Sequence, residues 1–370
     1  MYFKLIDIIN SISCFQLAIF SFFLIHKGRK SISNIILSAF FLVQFVVILN
    51  VLLISVFEKN TSFHIQIAYT YYPFEYLWGP LIYFYVVSQV KQGFRFKSRD
   101  LVHLIPFFIA ALFIIMGYYI QDDDVRYQII VDGSINKWFS FIYFPYFLLL
   151  FAYNFSALSL LNEYQQNLKD YYSFEIKQNM VWLKFVLYGY IIACIVSALN
   201  SIAGKYIPVA IEFKTDFLFA TFLLFFNILF YRAMIQPFLL IQAYERPKYS
   251  GSSINESDMC KYSQSIKDVL ITKKLYLNPS LTLQGLSESA GVSERIISQV
   301  INQYSNQNFF SFINAYRIEE AKILLNSLDQ NKTTMLGISI DVGFNSKSAF
   351  YDAFKKQTGM TPTEFRKMKF

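Results

Sequence analysis

Between Leu5 and about Gln236, apolar runs follow one another with only short polar interruptions, and this pattern constrains the fold more than any other feature of the chain. A bilayer core of ~30 Å needs roughly 20 mostly apolar residues per helical span. Seven stretches reach that length without an internal charge cluster, at about 5 to 25, 34 to 57, 67 to 90, 101 to 120, 138 to 160, 181 to 203 and 217 to 236. Buried core helices are the competing reading, but seven in succession, none with the polar face of a surface helix, favour membrane spans. Composition agrees: 55% apolar, 19% aromatic and 16% charged residues exceed what a soluble core of 370 residues needs. Only Lys4 precedes the first run, and no small-residue cleavage pattern follows it, so it reads as a retained span.

Lys and Arg are enriched in cytoplasmic loops. Lys27, Arg29 and Lys30 crowd the first loop and Lys91, Arg95, Lys97 and Arg99 the third, whereas the second has Lys59 and the fourth Asp122, Asp123, Asp124 and Asp132. Loops five and six hardly differ. Seven crossings with loop one inside put the N-terminus outside and the C-terminus in the cytoplasm. From Pro237 the character changes, and residues 237 to 252, with Pro247, Ser250, Gly251 and Ser252, read as a linker. Ser253 and Glu256 have capping-box spacing, which predicts a helix from there to about Lys274.

The last hundred residues carry one pattern twice: a small-residue helix, a glycine turn, then a helix with a polar face. In the first copy, about 282 to 303, Thr282 caps a short helix ending near Ala290, Gly291 makes the left-handed turn and Ser293 caps the next helix. Ile297, Val300 and Ile301 fall on one face of that helix, with Arg295, Ser298, Gln299 and Asn302 on the other. In the second copy, about 334 to 357, Thr333 or Thr334 is the cap, Gly343 the turn and Ser346 the next cap. Ala349, Phe350, Ala353 and Phe354 point inward there, and Lys347, Ser348, Tyr351 and Asp352 outward. Arg pairs bidentately with guanine, Gln and Asn with adenine, and Ser donates or accepts. One such helix is indistinguishable from a solvated surface helix; the repetition points to a reader of double-stranded DNA. Between the copies, 309 to 327 reads as one amphipathic helix of roughly 28 Å, a strut for two recognition helices about one DNA turn, ~34 Å, apart. From Lys261 to Phe370 fourteen Lys or Arg stand against nine Asp or Glu, a net +5, modest for a phosphate-binding domain.

These residues resemble the AraC-type transcriptional regulators, in the form where a seven-span membrane domain precedes the DNA-binding domain. Phe312-Ile313-Asn314-Ala315-Tyr316-Arg317-Ile318-Glu319-Glu320-Ala321-Lys322 is similar to the family's linker-helix signature. Its second-motif signature is matched by Val342-Gly343-Phe344-Asn345-Ser346-Lys347-Ser348-Ala349-Phe350, Thr358-Gly359-Met360-Thr361-Pro362 and Phe365-Arg366. Gly79-Pro80-Leu81-Ile82-Tyr83, His103-Leu104-Ile105-Pro106 and Gln236-Pro237 resemble the membrane half more loosely. Ser287 and Ser339 stand where relatives usually have alanine. The resemblance implies that the eight polar-face residues named above touch DNA, and says little about the sequence they read.

The expected protein is thus all-α. A seven-helix transmembrane sensor bundle over 1 to 236 and a linker are followed by a cytoplasmic double helix-turn-helix domain over 253 to 370, joined by its long linker helix. Cys14, Cys194 and Cys260 and the three histidines show no metal-ligand or disulfide spacing, and no phosphate-binding loop or nucleophile elbow appears, so no enzyme, metal or cofactor is expected. Intramembrane ionisable groups are costly and mark functional sites. Glu75 stands among Tyr72, Tyr76 and Trp78, with Pro73 and Pro80 able to break the third span. The alternatives for Glu75 are a signal pocket and an aromatic belt at the interface. Expected partners are DNA, the lipid bilayer, a small-molecule or peptide signal, a second copy of the chain and the transcription machinery, at a bacterial cytoplasmic membrane. The competing function is a seven-span receptor or transporter whose helical tail binds proteins.

Overall fold

The structure, a computed structural model, describes residues 4–27, 31–57, 61–91, 93–132, 135–174, 181–203, 223–232, 255–326 and 334–368. These residues form helices, with one isolated antiparallel bridge between Tyr172 and Thr282. The chain divides into two compact units: Met1–Asn162 with Met180–Gln242, and Glu163–Asn179 with Ala243–Phe370.

In the first unit, α1 (Leu5–Lys27) and α2 (Ile32–Val56) pack through Leu17, Leu24, Ile36, Leu37, Phe40 and Phe41. Ser21 and Ser38 lie at this contact with their hydroxyl oxygens 2.9 Å apart, small residues that let the backbones approach and pair their polar groups. Large apolar side chains also point away from the unit, among them Phe15 (69% exposed), Phe108 (62%), Phe155 (74%) and Phe185 (68%). Among the described residues four helices are long and apolar enough to cross a bilayer: Leu5–His26, Ile32–Val56, Ser98–Tyr119 and Phe144–Leu168. Val181–Ile192, within α9 (Val181–Ala203), and α10 (Leu223–Arg232) are shorter apolar stretches.

The third expected span, 67 to 90, is not one helix. α3 (Thr61–Ile67) stops, Tyr69 takes φ 68°, α4 (Tyr72–Glu75) opens on Pro73, and α5 (Trp78–Val90) follows. Proline removes an amide donor and crowds the preceding turn, so a run containing Pro73 and Pro80 does not hold a continuous ladder. The freed carbonyls find side chains: Tyr118 Oη donates to Ile65 O (2.8 Å), Tyr119 Oη to Ala68 O (2.9 Å) and Asn50 Nδ2 to Ile67 O (3.1 Å). The two tyrosines lie in π-helical turns, Ile115–Tyr119, which complete the segment begun by a 3-10 stretch, Ser98–Leu104, and α6 (Ile105–Ile114). A polar helix, α7 (Asp123–Asp132), comes next.

Two of the short motifs read in the membrane half meet at one side chain. Tyr153 lies on α8 (Ile135–Leu168); its hydroxyl is 2.7 Å from His103 Nδ1, and a Cβ on Gly79 would sit 2.6 Å from Tyr153 Cδ2. α8 has 34 residues, about 51 Å at 1.5 Å per residue. That length exceeds the ~30 Å of a hydrocarbon core, and the helix carries its last residues, from Glu163, into the second unit.

The second unit has two small cores joined by one helix. α11 (Glu256–Thr272) is capped by Asn255, whose side chain accepts from the Asp258 amide at 2.8 Å. Asn255 takes the role expected of Ser253, which lies outside the described residues together with the linker at 237 to 252. α12 (Leu283–Ala290), α13 (Glu294–Gln299) and π-helical turns at Val300–Tyr304 follow. α14 (Phe309–Asn326) is the expected strut, and α15 (Met335–Asp341), α16 (Lys347–Thr358) and α17 (Pro362–Lys367) complete the unit. The first core gathers Ile266, Leu283, Leu286, Ile297, Ile301, Phe309 and Ile313; the second gathers Ile318, Leu325, Ile338, Val342, Phe350 and Phe354. α14 contributes to both, changing core between Ile313 and Ile318.

Gly79→Val is expected to lower the thermal midpoint of the detergent-solubilised chain by an overpacking cost of roughly 1–3 kcal/mol. An unchanged midpoint would contradict the close contact of Gly79 with Tyr153.

Candidate nucleic-acid interface

Both helix pairs are built by local rules that the sequence displays. Thr282 Oγ1 accepts from the Gly285 amide (3.1 Å), Gly291 takes φ 67°, Thr334 Oγ1 accepts from the Gly337 amide (3.0 Å), and Ser346 Oγ from the Ala349 amide (3.2 Å). Each hydroxyl satisfies one of the amides that a helix start leaves without a partner. Of Thr333 and Thr334, the structure uses Thr334. Ser293 stands at the N-cap position of α13 without a side-chain cap bond. Gly343 has φ 91° and faces the other core: a Cβ there would lie 2.8 Å from both Tyr276 O and Leu277 O. This glycine is needed twice, for its backbone angle and for the close approach.

The second recognition helix presents the face read from the sequence. Lys347, Ser348 and Asp352 on α16 are exposed, Tyr351 is half-buried, and Phe350 and Phe354 are buried. Lys347 Nζ lies 5.3 Å from the Tyr351 ring centroid, and Tyr351 Oη is 2.7 Å from Thr363 Oγ1 on α17, so two of the four residues hold each other in place.

The first recognition helix is different. Arg295 is exposed and Asn302 half-buried, but Ser298 and Gln299 are only 3% and 2% exposed, contrary to the expected outward face. The buried run is continuous from Ile297 through Ser298, Gln299 and Val300 to Ile301. At about 100° per residue five successive residues pass all the way round a helix, so this turn is enclosed on every side. The expected helix to Gln303 also changes form: the ladder passes from α to π at Val300, which alters the register on which the two-faced reading relied.

In the sequence Arg317 is one residue of the linker-helix signature. It is 1% exposed, at the point where α14 passes from one core to the other. Arg317 Nε donates to Tyr276 O (2.7 Å). Nη1 donates to Ser173 O (2.6 Å) and Asn314 Oδ1 (3.1 Å), and Nη2 to Ser173 Oγ (3.0 Å) and Asn278 O (2.8 Å). A guanidinium has five N–H donors, and all five are used. These acceptors are uncharged, and burial lowers the Arg317 pKa to about 10, which leaves it protonated at neutral pH. Its Cζ lies 5.5 Å from the centroid of Phe344, a residue of the second core.

The residues proposed for signal recognition lie in two adjoining aromatic clusters of the first unit. Tyr72 and Tyr76 pack against Ile114, and Tyr76 and Trp78 against Tyr146 and Tyr190, with Tyr76 shared. Glu75 is half-buried on α4. Among the described residues no three His, Cys, Asp or Glu side chains gather to hold a metal ion.

A family model described as "Helix-turn-helix domain" matches residues 286–368, and the C-terminal part of the chain is thus a helix-turn-helix domain of the AraC type. Over 127 residues the chain is 31% identical to an HTH-type transcriptional regulator of Staphylococcus aureus strain COL, covering 34% of this chain and 16% of that protein. It is 28% identical over 114 residues to the HTH-type transcriptional regulator YdeC of Bacillus subtilis, covering 31% and 38%. With the HTH-type transcriptional activator RhaR of Escherichia coli it shares 26% over 128 residues, covering 34% and 43%. The chain therefore spans less than half the length of these relatives. No solved structure matches it.

Gly343→Ala is expected to cost more than Gly291→Ala. Both lose a left-handed glycine, a strain of ~1–3 kcal/mol, but only at position 343 does the added carbon meet backbone oxygens. Protease protection of α16 and α17 with rising temperature measures the two losses; equal midpoints would contradict the approach of Gly343 to Tyr276 and Leu277.

Proposed function

We propose that the chain is a membrane-bound, sequence-specific DNA-binding transcription regulator that couples an external or membrane-dissolved signal to gene expression. The observation that carries this reading is the AraC-type helix-turn-helix domain behind a set of long apolar helices. The apolar helices have outward phenylalanines that lipid would cover. The domain has an open recognition face on α16, where Lys347, Ser348, Tyr351 and Asp352 reach a major groove. Arg295 on α13 and Asn302 in the π-helical turns after it are the corresponding readers of the first pair, and Ser298 and Gln299, buried here, join them when that turn opens. Lys347 and Arg295 suit guanine edges or phosphates, and Asp352 suits a cytosine amine. The strut between the two helices, 18 residues or about 27 Å, supports a site with two parts about one DNA turn apart. The DNA-binding unit faces the cytoplasm, and the aromatic cluster of Tyr72, Tyr76 and Trp78 beside Glu75 receives the signal. A second copy of the chain and the transcription machinery are its further partners.

Selection of a random duplex library by the full chain in detergent and by the fragment from 253 to 370, at two salt concentrations, tests this. The expected result is a two-part site, bound more weakly as salt rises because phosphate contacts release counterions. An Arg295→Ala, Lys347→Ala double variant should lose it. No enrichment by either protein would turn the assignment toward a tail that binds other proteins.

A further inference from the structure

The second unit contains a piece of chain that the linear order assigns elsewhere. Glu163–Asn179 connects α8 to α9, two apolar helices of the first unit, yet it belongs to the compact unit of the DNA-binding domain. The contact is made mainly by backbone, in register. The Leu283 amide donates to Tyr171 O (2.9 Å), the Ser173 amide to Leu281 O (3.2 Å), and Tyr172 pairs with Thr282 in an antiparallel bridge. The Phe310 amide, in the first turn of the strut, donates to Lys169 O (2.9 Å) and so has a partner that its own helix does not supply. Ser173 Oγ donates to Leu281 O (2.7 Å) and accepts from Arg317, while Tyr171 is part of the first core. Leu168, Asp170, Tyr171 and Ser173 are all buried.

The docked residues bear on the first recognition helix. Thr282, paired with Tyr172, is the cap of α12, which packs on α13. The Tyr172 phenol is pushed above its ordinary value by burial and by the Glu294 carboxylate, which puts it near the first residue of α13. In the same conformation Ser298 and Gln299 are enclosed, while the face of α16 is open.

We propose that residues 169–174 are a built-in clamp: docked on the 281–283 edge and on Arg317, they hold the DNA-binding unit with its first recognition helix closed to DNA. Because the segment follows α8 directly and precedes α9 in the chain, a rearrangement of those helices pulls on the clamp without passing through the linker at 237 to 252. Release frees the 281–283 edge and the start of the strut together, and the first reader then turns its polar face outward. This rests on the DNA-binding reading above, which it extends by naming the contact that regulates it.

The test is a reversible lock. In the full chain, with Cys14, Cys194 and Cys260 replaced by alanine, Tyr172→Cys and Thr282→Cys place two thiols on directly opposed residues of an antiparallel bridge, a spacing that a disulfide accepts. Affinity for the selected duplex is measured in nanodiscs in the oxidised and reduced states, so that the loss of the Thr282 cap is common to both. The oxidised form should bind at least tenfold more weakly than the reduced form. Equal or tighter binding by the oxidised form overturns the clamp and leaves the DNA reader standing. If no form binds any duplex, the DNA-binding reading falls, and the clamp with it.

Discussion

One buried guanidinium organises the DNA-binding unit. Removing a charged group from water costs several kcal/mol unless each of its polar hydrogens is met. Arg317 meets that condition with five neutral oxygens from three stretches of chain: Tyr276 and Asn278 before α12, Asn314 on its own helix, and Ser173 from the connection between α8 and α9. The requirement for all five fixes these segments relative to one another. It also ties two small cores into one unit: the arginine sits where α14 leaves the first core, and its guanidinium lies over Phe344 of the second. Lysine would not serve, since its single ammonium cannot span acceptors arranged around a planar fork.

From this junction the architecture follows in both directions. On the N-terminal side, α8 is some 20 Å longer than a hydrocarbon core requires and ends next to the segment that bears Ser173. On the C-terminal side, the same hydrogen-bonded frame carries Leu281 and Leu283, which flank the cap of the first helix pair, and the turn at Gly343 that sets the second. The segment that bears Ser173 and the two recognition helices belong to one compact unit, although more than a hundred residues separate them in sequence. α16 presents an exposed polar face, whereas on α13 Arg295 is exposed and Ser298 and Gln299 are buried. In the clamp proposed above, one of the two readers is held in reserve until residues 169–174 move.

What could be read from the sequence follows the range of the forces involved. Caps and turns depend on neighbours three or four residues away, so Thr282, Gly291, Gly343 and Ser346 were legible as such, and Thr334 as one of two adjacent candidates. The strut at 309 to 327 was legible to within a residue because its stripe is periodic. The break in the third apolar run was visible in Pro73 and Pro80, though hydropathy alone drew one span there. The burial of Ser298 and Gln299 was not legible, because polar residues next to an apolar stripe look outward until the surrounding chain is known. Nor was the role of Arg317: its partners are 3 to 144 residues distant, and an arginine on an amphipathic helix reads as solvent-facing.

Hydrogen exchange of the full chain in nanodiscs tests the central claim most directly, by following the amides of Ser173, Leu283 and Phe310 in the wild type and in Arg317→Lys. If Arg317 ties these segments into one unit, the three amides exchange slowly together in the wild type and all accelerate together in the variant, while amides of α1 and α2 keep their rates. Rapid exchange of Ser173 in the wild type, or acceleration of Leu283 and Phe310 that leaves Ser173 unchanged, would contradict it.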